Sequence, residues 1–460
     1  MPTSDVDLPV RRLFGRVRPW LLLALVPLGL LTAACERPFV EESTPDIKVT
    51  SPNLAVAVIP SDITIRVESQ SFREVTQVRA NGLEMEKSGV GDWTVNLKFV
   101  RGLNVIRIEA MDSEMATSVD SFYIFRAEPS VSTFAPRLPT GLGGIAATLG
   151  SNNQVVVTGG AQAPGAPGVN SVYVLAPNGT DFITQNFTLL HARVGHTASL
   201  LPDNRILVVG GGSRENVTAI DQLVENAEVI DLESGTTKEV PVVGQPIRRL
   251  YHTANVRATN NGTVLDLYGG IGDISYTSSA RLGIRSDLRR FFFVRDTLFA
   301  VDPGIGPRLG PPVYGHSQTR LNSAAPFFQN RFAYFGAFFA ANVNDPISFE
   351  ADFDTPSGIL TSDLPRPNQL RINHADALAS NRIVALFGGR TGASSRTTTS
   401  AELFSDEAGR FFSLPFVSSE PIRRYAHKAL RLPDGSIMLI GGFNDAGNGI
   451  SASEIVSLGF

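Results

Sequence analysis

The sequence predicts an all-β protein, a small two-sheet domain followed by a large set of repeated sheets. Three observations carry this. A unit with a conserved-looking skeleton recurs six times between residues 128 and 460, its marker positions 51 to 64 residues apart. Residues 46–127 alternate apolar and polar side chains with a period of two. The chain of 460 residues carries 42 glycines and 29 prolines, a composition of turns and short strands. At 43% hydrophobic and 18% charged, it is not a disordered chain. A formal net charge of −4 argues against a nucleic-acid partner.

The first 34 residues read as an export signal. Arg11, Arg12, Arg16 and Arg18 form a basic segment ahead of the apolar run Trp20 to Leu31. Twelve residues fall short of the roughly 20 that a membrane-spanning helix needs. Leu31-Thr32-Ala33-Ala34-Cys35 then resembles the lipobox of bacterial lipoproteins, with Thr32 where leucine is commonest. The resemblance implies cleavage before Cys35, diacylation of its sulfur and acylation of the new amino terminus. Three acyl chains exceed the two signals that stable anchoring requires. Glu36 follows, and the lack of an aspartate there favours the outer over the inner membrane. Arg11-Arg12-Leu13-Phe14 also resembles a twin-arginine motif, so both export routes stay open. Cys35 is the only cysteine, which excludes an intramolecular disulfide, a cysteine-only zinc site and a CxxC motif. Residues 35–45 are acidic and proline-punctuated and read as a lipidated tether.

Residues 46–127 read as a β-sandwich. Ile63, Ile65 and Val67 alternate with polar neighbours, as do Trp93, Val95, Leu97 and Phe99, and Ile106, Ile108 and Ala110. Asn81-Gly82 marks a tight hairpin, because both residues tolerate positive φ. The segment from Gly91 to Asp112 resembles bacterial Ig-like modules. The expected role is a spacer.

In the repeat, an arginine lies three residues before a histidine, and an apolar strand follows that ends in Gly-Gly. Arg193, Arg249, Arg371 and Arg424 precede His196, His252, His374 and His427. His316 marks a degenerate copy, and Ile145 stands in its place in the first. The glycine pairs are Gly159-Gly160, Gly210-Gly211, Gly269-Gly270, Gly388-Gly389 and Gly441-Gly442. A later strand repeats a glutamate, at Glu228, Glu402 and Glu454. This pattern resembles the kelch repeat over about 330 residues. The resemblance implies a six-bladed kelch β-propeller over 128–460, in the galactose oxidase-like superfamily. The physics agrees, since one four-stranded sheet buries its faces only by stacking against others. The chain stops just after a third strand, so residues 130–139 are expected to supply the last sheet's outer strand and close the ring.

Two roles were open for the repeated arginines. They crown the channel mouth as anion-binding groups, or pair with the glutamates as struts between blades. The histidines and glycines read as structural, each histidine bonding inside its own blade. Equivalent histidines spread around a ring are too far apart to share a metal ion, whose bonds are about 2.1 Å, so no metal or other cofactor is expected. Asp345, Glu350, Asp352 and Asp354 read as a solvated loop. The architecture implies a lipid-anchored, monomeric display protein that binds a protein or glycan. The alternative is a sugar-processing, epimerase-like kelch enzyme using channel Arg and Glu. Galactose oxidase chemistry is excluded, because the resemblance would require a cross-linked cysteine within the propeller. Converging Arg, Glu and Tyr side chains in the channel would favour the enzyme.

Overall fold

The computed structural model describes residues 44–460 apart from 133–134, 178, 260–261, 275–280, 302–309, 322–329, 341–342, 356–357, 392–395 and 418. Cys35, the signal segment and most of the tether lie outside the described residues. No α-helix occurs among the described residues, only one 3₁₀ turn at Ile220–Gln222.

Two four-stranded antiparallel sheets form the N-terminal part. One orders Asp46–Ser51, Asp62–Gln70, Asp92–Lys98 and Glu86–Lys87; the other orders Leu83–Glu84, Val75–Ala80, Gly102–Asp112 and Thr117–Arg126. The period-two alternation turns Ile65, Val67, Val78, Trp93, Ile106 and Ile108 into one buried cluster between them. Asn81 (φ 51°) and Gly82 (φ 81°) make the hairpin turn that pairs Ala80 with Leu83. This part is not a free spacer. Ala57, Phe125 and Ala127 are buried with Phe412, Leu414 and Leu458 of the later sheets. The Ala57 N–H donates to the Ser413 carbonyl at 2.9 Å.

Among the described residues six four- or five-stranded sheets follow, with two smaller ones beside them, consistent with a β-propeller-like fold. Their first strands are Ala146–Leu149, Thr197–Leu200, Thr253–Thr259, Ser317–Arg320, Ala375–Ser380 and Lys428–Arg431. In each, the next two strands follow antiparallel in sequence order. The apolar runs Val155–Thr158, Ile206–Val209 and Ile437–Ile440 are buried throughout, because sheets cover them on both faces. The third sheet gains a parallel strand, Val242–Val243. The last sheet takes its outer strand from Ser130–Ser132, paired antiparallel to Glu454–Ser457 with Val131 opposite Val456. Both ends of the repeat region therefore meet in one sheet. The acidic run expected to be a loop is instead strand, Val343–Thr355, because Asp352 is buried and Glu350 is ion-paired with Arg331.

Neighbouring sheets are joined by backbone hydrogen bonds that explain the sequence skeleton. The residue before each marker position donates its N–H to its counterpart one sheet back. Gly195 donates to Gly144, Tyr251 to Gly195, Gly315 to Tyr251, Asn373 to Gly315, Ala426 to Asn373, and Gly144 to Ala426, at 2.6–3.0 Å. The result is a closed girdle of six bonds. All six residues have positive φ, from 50° to 64°, and the non-glycine members Tyr251, Asn373 and Ala426 accept it for the bond. The Gly-Gly pair makes the second joint. The Gly211 N–H donates to the Arg249 carbonyl of the next sheet at 2.6 Å. A Cβ on Gly210 would stand 2.6 Å from the His252 ring, and one on Gly211 would stand 2.9 Å from the His196 Cβ. The pair is thus wedged between two histidines, at φ values of 66° and 93° that only glycine adopts cheaply.

Candidate functional site

The repeated arginines are not at a mouth. Arg193, Arg249, Arg371 and Arg424 are all 0–1% exposed. Each lies inside its own sheet, so the channel-crown role and the strut between blades are both corrected. Arg193 donates to Glu228 at 2.6 Å and to the Gly210 carbonyl at 2.7 Å. Glu228 also accepts the N–H groups of Leu190 and His191 at 2.6 and 3.1 Å. Arg371 with Glu402 and Arg424 with Glu454 repeat the arrangement, each pair at 2.7 Å. Burial lowers the pKa of each arginine, and the glutamate opposes the shift. In the third sheet the acceptor is Asp287, 2.7 Å from Arg249, an acid missed because the later strand shows no glutamate. The remaining two sheets substitute apolar pairs at the same register. Leu142 with Tyr173, and Val313 with Phe349, each share one buried cluster.

The histidines also differ from expectation: four of the five reach the preceding sheet rather than their own. The hydroxyl after one histidine meets Nε2 of the next. Thr197 meets His252 at 3.3 Å, Thr253 meets His316 at 3.0 Å and Ser317 meets His374 at 2.8 Å. His196 uses Thr158 at 2.8 Å. The residue after His374 is Ala375, and His427 Nε2 is buried without a partner. Burial holds all five rings well below the usual imidazole pKa, His316 at about 3, so they are neutral at pH 7.

Lys428 follows His427 and occupies the column of those hydroxyls. It lines the same axial cavity as all five histidines, and its charge adds to the burial that lowers their pKa values. On one side of it lies a cavity of about 40 Å³, bounded by the histidines and the girdle. On the other side is a chamber of about 220 Å³ that contains Asp376. Burial raises the Asp376 pKa to about 6, despite a 2.6 Å bond from Thr319.

Beyond the girdle, a polar cluster caps the axis. The Tyr251 ring crosses Gly195 and Gly144, and its hydroxyl donates to Glu215 Oε1 at 3.0 Å. Glu215 is 7% exposed and its Oε2 has no partner. Burial raises its pKa, opposed by the Tyr251 bond and by Arg390. The Arg390 guanidinium stacks 3.5 Å from the Tyr425 ring centroid. No ion pair closes between Arg390 and any described acid, and Arg390 Nε, Tyr425 Oη and Asn373 Oδ1 are buried without partners. Three of these unsatisfied polar atoms, on Glu215, Arg390 and Tyr425, therefore belong to one cluster, an arrangement that a polar ligand would complete. Sequence reading missed this cluster because Glu215 and Arg390 are outside the repeated columns. One signal was present: Arg390 follows Gly389, where the other complete pairs are followed by Ala161, Gly212, Ile271 and Phe443.

Comparison with known proteins supports the fold. The chain is similar to the solved structure of YjhT, at 14% identity over 70% of this chain and 96% of that one, with a TM-score of 0.52. It also aligns with a copper-bound fungal alcohol oxidase of the AA5 family, at 12% identity over 90% of this chain and 76% of the other, with a TM-score of 0.46. At 14% identity the likeness to YjhT shows a shared all-β fold and nothing more. No protein-family model and no curated protein matches the sequence.

Proposed function

We propose that this chain is a lipid-anchored binding protein of the bacterial cell envelope, held through Cys35 and sited on the outer rather than the inner membrane. In this reading residues 1–34 are the signal peptide, 35–45 the tether, 46–127 an Ig-like module and 128–460 a six-bladed kelch propeller. The module docks against the propeller and fixes how its axial face is presented. The ligand is an acidic glycan or the acidic side chain of a protein, recognised at the axial cap. The supporting observation is the Arg390 guanidinium, held against Tyr425, free of any ion pair with a described acid and ringed by unsatisfied polar atoms. A fixed guanidinium matches a carboxylate better than a lysine would.

A second reading, an epimerase-like enzyme acting on a sugar acid, is favoured by one observation. Glu215 carries a raised pKa and shares a hydrogen bond with Tyr251 beside that cation, the pairing a proton-transfer site needs. A glycan array with sialylated and uronate-bearing glycans tests both readings. Binding lost in Arg390→Ala supports the cap as the site, and unchanged binding removes it. Turnover of a bound sugar acid that disappears in Glu215→Gln, with binding retained, would replace the binding reading by the enzyme.

A further inference from the structure

The Lys428 chamber lies on the opposite side of the histidine ring from the Glu215–Arg390 cap. Lys428 makes no hydrogen bond or ion pair with any described residue, although it is enclosed on the axis. An ammonium in such a place needs a counter-charge. The groups around it do not supply one in contact. Burial lowers the Lys428 pKa, Asp376 opposes that shift without closing an ion pair, and the five ring histidines are neutral. The chamber walls combine methyl groups from Ala147, Ala198 and Ala254 with the Ser199 hydroxyl and the Gln318 amide. Neither polar group has a partner among the described residues.

We propose that this chamber is a binding site for a small monocarboxylate with a short alkyl chain, its carboxylate on the Lys428 ammonium. One cation matches one negative charge; a dianion would leave excess charge beside Asp376. A volume of about 220 Å³ accommodates a ligand of a few heavy atoms. The alanine methyls suit the alkyl end, and Ser199 and Gln318 supply further hydrogen bonds. A bound anion favours the protonated form of Asp376. Its proton is held up to about pH 6, so binding tightens as the pH falls from 7 to 5.5. The five histidines, held well below the usual imidazole pKa by burial, stay neutral in that window.

The test uses the full-length protein in detergent and propionate as the probe, with saturation-transfer NMR as the readout. Wild type is expected to bind saturably, with a Kd below about 10 mM at pH 5.5. Lys428→Met is expected to weaken binding at least about tenfold. Ala254→Leu, which fills the chamber from another sheet and leaves Lys428 in place, is expected to do the same. Glu215→Gln, at the cap, is expected to bind propionate as wild type does, which separates this site from the function proposed above. No saturable binding by wild type, or wild-type affinity in either chamber variant, overturns the proposal.

Discussion

Ala375→Ser is expected to stabilise the protein by supplying a missing hydrogen bond. Three of the four preceding sheets pass a hydroxyl, from Thr197, Thr253 or Ser317, to the next histidine at 2.8–3.3 Å. Ala375 stands in the same column, and His427 Nε2 opposite it is buried with no partner. A serine Oγ there restores the Ser317–His374 geometry. The net value of one such bond is about 1 kcal/mol, and relieving a buried orphan atom adds up to about 1 kcal/mol more. The added oxygen sits beside a residue that is 4% exposed, so crowding offsets part of the gain. The expected net stabilisation is about 1 kcal/mol, read as a rise in thermal midpoint of about 2 °C. Ser317→Ala is the matched control and is expected to cost a similar amount, since it orphans His374. An unchanged midpoint in Ser317→Ala would refute the idea that these hydroxyls stabilise the joints between sheets, and an unchanged or lowered midpoint in Ala375→Ser would refute the idea that His427 lacks the same bond.

Glu228→Gln leaves the Arg193 charge buried without its partner and is expected to cost about 3–5 kcal/mol by denaturant titration. The double change Arg193→Leu with Glu228→Tyr copies the Leu142–Tyr173 pair and is expected to recover most of that loss; a double variant as unstable as the single one argues against the substitution pattern. The five histidines have depressed folded-state pKa values, so the unfolded chain takes up their protons first and stability falls as pH drops below about 6.5. Replacing His374 by Gln is expected to flatten that decline, measured as denaturation midpoint against pH between 7 and 4.5. Asp376 has the opposite sign: its raised folded pKa costs stability as pH climbs from about 4 through 6, so Asp376→Asn is expected to stabilise at pH 8 and to be neutral near pH 4. Deleting residues 128–140 removes the outer strand of the last sheet and is expected to lower the thermal midpoint; an unchanged midpoint would mean that strand does not close the ring.

The repeat made the fold legible because each sheet meets the same neighbours, so the same residues recur at the joints. The glycine pairs, the histidine column and the glutamates of three sheets were readable in that way. The partner of each histidine was not. It lies one sheet back, across a contact that no local spacing encodes. The arginines misled for a related reason: a charged column near the axis suggested exposure, whereas Glu228 and the carbonyls of Gly210 and Asn226 accept from Arg193 inside the sheet. Lys428 was hidden because it breaks a column of small hydroxyl residues rather than forming one. Glu215 and Arg390 come together only because the girdle brings their loops over the axis, a distance in the chain that periodicity cannot span.

The pairing of Val131 with Val456 has a consequence for how the molecule is made. The strand that finishes the last sheet is among the first of the repeat region to be synthesised, and its partner is among the last. Until residues near the C-terminus arrive, Ser130–Ser132 has no strand to join and the girdle bond from Gly144 to Ala426 has no acceptor. The chain must therefore carry a nearly complete but open arc, with unpaired edges, to the end of its synthesis. Closure is then a single late event between sequence-distant segments, slow by its contact order and decisive for whether the protein leaves its chaperones.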